Sequence, residues 1–369
     1  EAFADMPGFK TTIQGKTTSW LVWFMFIGVI PSIAGMGGLA GAVAEAGNTM
    51  FPLLSTEAWV AISCLLTWLL LYFGSYKSLE RTLLIMVIFF SFMTLVIAIA
   101  MQSTEYQVNF DQISQGLSFS FPTEYLPLAL AVFGFTGISY GEIMAYTYWC
   151  LEKGYADNTG NDIEETKHWI RTMQTDVWVT VFFITLGTLP FFFLGAGVLN
   201  NVPELQESLA TSSFWDVDVI SSLQNMFSLV LGGWAKWLFI ILAFFVLFST
   251  LLSGTAAFTR TISDYLISMG LVRERTDTRK KLIKLVAFVI PFLSGLFYFI
   301  LPNPITLLLI AGIWAAMGLP IVNIGALYLV NKLEPALQPK VITKVILWAS
   351  LILQLCLAGL IVYDIGLNF

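Results

Sequence analysis

An all-α membrane protein with many spans is expected from three features of this chain. Of its 369 residues, 57% are hydrophobic and only 11% are charged, whereas a soluble domain carries about 25% charged residues. Apolar runs of about 20 residues, long enough to cross a bilayer as a helix, recur from end to end with polar stretches between them. The basic residues alternate as well: every Lys and Arg except Lys236 falls in the N-terminal segment or in alternate connections after it.

Nine spans follow in order. The first, 19–45, comes after a polar stretch holding Lys10 and Lys16; the chain opens on Glu1 with no visible signal peptide and is expected to be trimmed at its N-terminus. Spans 57–74 and 82–101 are joined through Lys77 and Arg81. The connection 102–124 includes VNFDQISQGLSFSFP, expected to lie along the interface, with Glu105, Asp111 and Glu124. Span 125–150 leads into the polar segment 151–175, where IEETKHWIRTMQ reads as a short amphipathic helix and His168 as a solvated side chain. Span 176–199 precedes Glu204, Glu207, Asp216 and Asp218, and span 228–253 precedes Arg260, Arg273, Arg275, Arg279, Lys280, Lys281 and Lys284. Arg260 and Asp264, four apart, are expected to pair across one helical turn. Spans 284–301 and 304–330 are joined only by LPNP, and 341–363 comes last, beside Lys332, Lys340 and Lys344.

Positive loops stay cytoplasmic, so the N-terminus is expected inside and the C-terminus outside. The outer loops are acidic; solvated loops account for this, and a cation-attracting vestibule is the alternative. Cys64, Cys150 and Cys356 are far apart with no CxxC pair and are expected to be small buried hydrophobes. One histidine, no P-loop and no HExxH leave no basis for structural zinc, nucleotide-driven pumping or zinc-dependent intramembrane catalysis. The expectation is a protein that is not an enzyme, has no cofactor, does not bind nucleic acid, and has the lipid bilayer as its surroundings.

The fourth span contains AVFGFTGISYGEIMAYTYW, residues 131–149. Gly134, Gly137 and Gly141 each cost a helix about 1 kcal/mol relative to Ala. Glu142 adds at least roughly 2.5–3.5 kcal/mol at bilayer depth. Unwound backbone survives there only when buried in protein or lining a wet cavity, and discontinuous helices coordinate ions at the midplane of many transporters. One device explains both costs: an opened helix with Glu142 at the positive end of its inner half. The expected substrate or ion ligands are Gly137, Ile138, Ser139, Gly141 and Glu142, with Glu142 the candidate metal-binding side chain and Thr136 lining the path. The alternative is that the glycines, at helical spacing, let another helix approach closely. Tyr146, Tyr148 and Trp149 are expected as an interfacial belt. A second polar cluster, FFVLFSTLLSGTAAFTRTISDYL, brings Ser249, Thr250 and Ser253 as path-lining residues or as helix-packing glue.

EIMAYTYWCLEKGYADNTG and VLFSTLLSGTAAFTRTISDYL resemble a divergent bacterial branch of the Nramp divalent-metal transporter family, and MGLPIVNIGALYLVNK looks like that family's tenth helix. The resemblance implies a LeuT-type (APC superfamily) fold of two inverted five-helix repeats in one transporter domain over 1–369. Residues 19–101 would be the remainder of the first repeat, 125–330 the second, and 341–363 an added C-terminal helix. The nine spans would be the family's third to eleventh, with its first two helices missing from the chain. The family takes metal ligands from an Asp-Pro-Gly-Asn motif, which this chain lacks, and from a Met-Pro-His-Asn motif, against which Ile138-Ser139-Tyr140-Gly141 align. The remaining donors are hard oxygens, suited to Mg²⁺ or Mn²⁺.

The expected function is therefore secondary transport of a divalent cation of the Mn, Fe or Mg class across a bacterial inner membrane, coupled to protons or to the membrane potential. The alternative is a LeuT-fold permease for an amino acid or other small organic solute, which would use half-helix N-termini for a substrate carboxylate.

Overall fold

The computed structural model describes residues 4–74, 76–118, 129, 132–134, 136, 138–155, 162–199, 219–273 and 277–368. It is nearly all helical. Two strands, β1 (Lys10–Ile13) and β2 (Lys16–Ser19), precede α1 (Trp20–Ile27), α2 (Val29–Met50), α3 (Thr56–Phe73), α4 (Tyr76–Met101) and α5 (Phe110–Gly116). Then come α6 (Tyr140–Glu152), α7 (Ile163–Leu194) with a π turn at Gly195–Leu199, and α8 (Val219–Leu231). The remaining helices are α9 (Ala235–Ser268), α10 (Thr278–Ile300), α11 (Pro304–Lys332) and α12 (Val341–Asn368). Among the described residues, 8 helical segments are long and apolar enough to cross a membrane, counting α1 with α2 as one. Of the expected nine spans, the fourth is the one without such a segment: α6 supplies its C-terminal half, and 125–128, 130, 131, 135 and 137 lie outside the described residues.

The scaffold is built around α2. Its run SIAGMGGLAGAVAEAG carries almost no side-chain bulk, so neighbouring backbones come close, as small residues permit between membrane helices. A Cβ added at Gly37 would lie 2.5 Å from the Ser294 carbonyl of α10, and one at Gly38 would lie 2.6 Å from the Pro304 carbonyl of α11. Gly254 of α9 faces the Met36 sulfur in the same way, at 2.8 Å. As a result α2 packs against α3, α9, α10 and α11, while α9 and α3 also pack against α10. Separate contacts pair α4 with α7 and α12 with α11.

Several boundaries depart from expectation for local reasons. The 10–19 segment folds as a hairpin: Lys10, Thr11, Thr12 and Ile13 pair with Ser19, Thr18, Thr17 and Lys16. Its two-residue turn puts Gln14 at φ 50° and Gly15 at φ 83°, the left-handed pair that a tight hairpin demands. Thr18 Oγ1 then donates to the Ser268 carbonyl at 2.5 Å, seating the hairpin on the end of α9. The expected sixth span, 228–253, is shifted to Ala235–Ser268 because Gly232, at φ 89°, separates α8 from α9. The expected amphipathic helix and fifth span are one 32-residue helix, α7, with no breaker between them. The LPNP link is a real turn: Asn303 Oδ1 accepts from Thr306 N at 2.9 Å and Pro304 opens α11.

Cys64 and Cys150 are buried as expected, but Cys356 is exposed on α12. Among the described acidic positions, Glu105 lies just before α5 and Asp111 in its first turn; Glu124, Glu204, Glu207, Asp216 and Asp218 lie outside the described residues, as does Arg275.

Candidate transport site at the interrupted fourth span

The interruption is visible on both sides. Val132–Gly134 are helical, Thr136 N donates back to Val132 O at 2.7 Å, Ile138 and Ser139 are non-helical, and α6 starts at Tyr140. Gly137 lies outside the described residues. Ser139 is the N-cap of α6 and its hydroxyl accepts from Gly141 N at 3.3 Å. Glu142 reaches back to accept from Ser139 N at 2.9 Å, and its carboxylate also bonds the Ser139 hydroxyl. This is a capping box, S-x-x-E, which satisfies donors that a helix start leaves orphaned. The motif stands in the sequence at Ser139–Glu142 and is the signal that anticipates this local role.

The glycines divide into two kinds. A Cβ at Gly134 would overlap the Gly312 carbonyl oxygen of α11, so close packing explains that position. At Gly141 the nearest atom to an added Cβ is the Ser139 hydroxyl at 3.6 Å. Packing does not require glycine there. The opening therefore sits against the Gly312–Gly318 stretch of α11, with Ile138 and Ser139 half-buried and Glu142 exposed. Among the described residues no three His, Cys, Asp or Glu side chains gather into a metal-holding group. A cation at this opening would have carbonyl and hydroxyl oxygens near Ile138 and Ser139, together with the Glu142 carboxylate, as its neighbours.

The second polar cluster is turned inward on its own helix. Ser249 Oγ and Thr250 Oγ1 both donate to the Val246 carbonyl, at 2.8 and 2.9 Å, and Ser253 Oγ donates to Thr250 O at 3.2 Å. Among the described residues no hydrogen bond joins them to α6. With Gly254 against Met36, this stretch of α9 serves packing on α2 in the conformation seen.

The C-terminal end of α6 is held by charge. The Arg260 guanidinium of α9 binds Glu152 with two prongs, Nε to Oε1 at 2.7 Å and Nη2 to Oε2 at 3.0 Å. It also lies over the Trp149 ring at 4.8 Å. Asp264, the partner expected for Arg260, instead accepts from Arg279 Nε at 2.9 Å, and Arg279 sits over the Tyr148 ring. The cross-helix partners win because they allow a bidentate fork and ring stacking, which a same-helix neighbour does not offer. On the other flank Lys153 binds Asp176 of α7 at 3.2 Å and Glu80 of α4 at 3.8 Å. Tyr155 donates to the same Asp176 at 2.7 Å; burial first, then this carboxylate, push its phenol above the ordinary value. Tyr146 donates to the Met173 carbonyl at 3.1 Å. The three aromatics expected as an interfacial belt thus bind neighbouring helices.

A family model described as natural resistance-associated macrophage protein-like (Nramp) matches residues 9–364. No curated protein matches the chain.

Proposed function

The chain belongs to the natural resistance-associated macrophage protein-like family, and on that premise we propose that it carries a divalent cation of the Mn, Fe or Mg class through the membrane at the interrupted fourth span. Membership implies a proton-coupled divalent-metal transporter embedded in the membrane rather than an enzyme, with the metal as cargo. The finer assignments are our own.

The observation that carries the site is the opening itself. Helix at Val132–Gly134 has given way to non-helical backbone by Thr136, and the span restarts at Tyr140 with a carboxylate in its first turn. Carbonyl, hydroxyl and carboxylate oxygens are hard donors, which favours Mn²⁺ or Mg²⁺ over thiophilic ions. Gly137, Ile138, Ser139, Gly141 and Glu142 are the proposed ligands or ligand-bearing backbone, and Thr136 the approach. Ser249, Thr250 and Ser253 would join the path only if α9 rotated them toward α6.

The mutual packing of α2, α3, α9 and α10 supports the two-repeat division into 19–101 and 125–330, with α2 the counterpart of α9 and α3 of α10. A cytoplasmic N-terminus and an external C-terminus rest on the one-sided basic residues, and residence in a bacterial inner membrane on the resemblance to a bacterial branch of the family. The amino-acid permease alternative would bring a substrate carboxylate to the start of α6, where Glu142 already takes the Ser139 N–H.

Uptake of radiolabelled Mn²⁺, set against labelled amino acids, into proteoliposomes with an inward proton gradient tests the proposal. Gradient-dependent Mn²⁺ accumulation is the expected result. Uptake of an amino acid without Mn²⁺ would contradict it.

A further inference from the structure

The first residue of the inner half-helix holds a position that neither cap nor charge explains. The Tyr140 ring is 6% exposed, within an apolar cluster that includes Val29 and Ile33 of α2, Ile262 of α9, and Ala315 and Leu319 of α11. It fits there because position 318 is glycine: a Cβ would lie 2.7 Å from the Tyr140 ring. A buried hydroxyl is costly unless bonded, and this one is bonded. Its oxygen is 3.0 Å from Ser32 Oγ and 3.4 Å from the Gly28 carbonyl, to which Ser32 Oγ itself donates at 2.8 Å.

Gly28 is the junction between α1 and α2. One phenol therefore ties the restart of the fourth span to the junction in the first, while its ring lies against Gly318 of α11. The neighbouring residue on one side is Ser139 and the carboxylate two residues on is Glu142. Any shift of this hydroxyl moves both.

We propose that Tyr140 is a positioning residue for transport: its hydroxyl, held by Ser32 and the Gly28 carbonyl, fixes where the Ser139–Glu142 end of α6 stands relative to α2 and α11. This rests on the metal-transport function proposed above. The ring supplies packing and the hydroxyl supplies placement, so the two contributions separate on substitution.

Tyr140→Phe keeps the ring and removes the hydroxyl; Ser32→Ala removes its partner. Losing a bond of this kind corresponds to about a five- to tenfold rise in the Mn²⁺ KM, with the turnover rate changed by less than about twofold and the melting temperature near that of the unsubstituted protein. The double variant should match either single one, since both remove the same interaction. Unchanged KM in both single variants, or fully multiplicative effects in the double, overturns the proposal. A fall in folded yield or melting temperature with KM unchanged also overturns it, because that is what packing alone would produce. Should Tyr140→Phe not fold, Ser32→Ala decides by the same KM criterion. Absence of Mn²⁺ uptake by the unsubstituted protein overturns the transport function and this proposal with it, whereas normal uptake with unaltered variant kinetics overturns this proposal alone.

Discussion

Arg260 and Glu152 form a two-pronged ion pair between α9 and the C-terminal end of α6, with 12% and 24% of their side chains exposed. Arg260 also donates to the Ala256 carbonyl at 2.9 Å and stacks on Trp149. Few of its donors are left for water. The pair fixes the half-helix that begins at the opening to the helix that crosses the scaffold.

Arg260→Met should therefore leave a poorly solvated carboxylate and cost about 1–3 kcal/mol, less than for a fully buried pair because both groups retain some exposure. Adding Glu152→Gln should restore part of the loss. Thermal melts in detergent check this; an Arg260→Met protein as stable as the unsubstituted one would show that the pair is ornamental.

The Lys153–Asp176 contact should behave differently. Both side chains are 30% exposed, and exposed pairs contribute about 0–1 kcal/mol and are screened by salt. Asp176→Asn should shift stability by less than Arg260→Met does, with the difference shrinking at high salt. It should also bring the Tyr155 phenol back toward its ordinary value, readable as an earlier rise in tyrosinate absorbance on alkaline titration. The sign follows from the raised phenol: the unfolded chain ionises first, so the contribution is present below the ordinary phenol value and fades as pH climbs through the folded one. A later tyrosinate rise in Asp176→Asn would contradict the assignment.

Gly37 and Gly141 should respond to alanine in opposite directions. At Gly37 a methyl meets the backbone carbonyl of Ser294, and overpacking of that kind costs about 1–3 kcal/mol. At Gly141 an added methyl makes only an ordinary contact, with the Ser139 hydroxyl at 3.6 Å, and alanine in a helix is favoured by up to about 1 kcal/mol. Paired melting curves decide the matter. Destabilisation by Gly141→Ala would mean that the start of α6 is tighter than the distances indicate.

The long spans were legible because composition and charge alternation are properties of whole segments, insensitive to which helix lies beside which. Their ends were less so: α9 runs on through Ser263, whose hydroxyl bonds the Thr259 carbonyl at 2.6 Å and so hides its polarity inside the helix. The hairpin was legible in principle, since β-branched residues flank Gln14-Gly15, but a short polar segment among long apolar ones is easily taken for a loop. The opening showed itself through clustered glycines and a misplaced acid. Partner choice did not. Nothing local to Arg260 reveals that Glu152, 108 positions earlier, stands nearer than Asp264.

Topology follows from the basic residues. Single cysteines at Ser103 and Glu334, in a protein stripped of its own three, should react with an impermeant maleimide in intact cells at the first position only. Labelling at Glu334 would reverse the orientation.

The central claim is that Glu142 serves the transported cation as well as capping α6, and the substitution that separates the two roles is Glu142→Gln. Glutamine retains the acceptor that the Ser139 N–H uses in the capping box, so the half-helix should keep its start and the protein its melting temperature, while the charge is gone. Proteoliposome uptake of Mn²⁺ measured across pH should then be abolished, or lose its pH dependence. A Glu142→Gln protein that carries Mn²⁺ normally at every pH, with the same preference among metals, would contradict the account and leave the carboxylate as a helix cap alone.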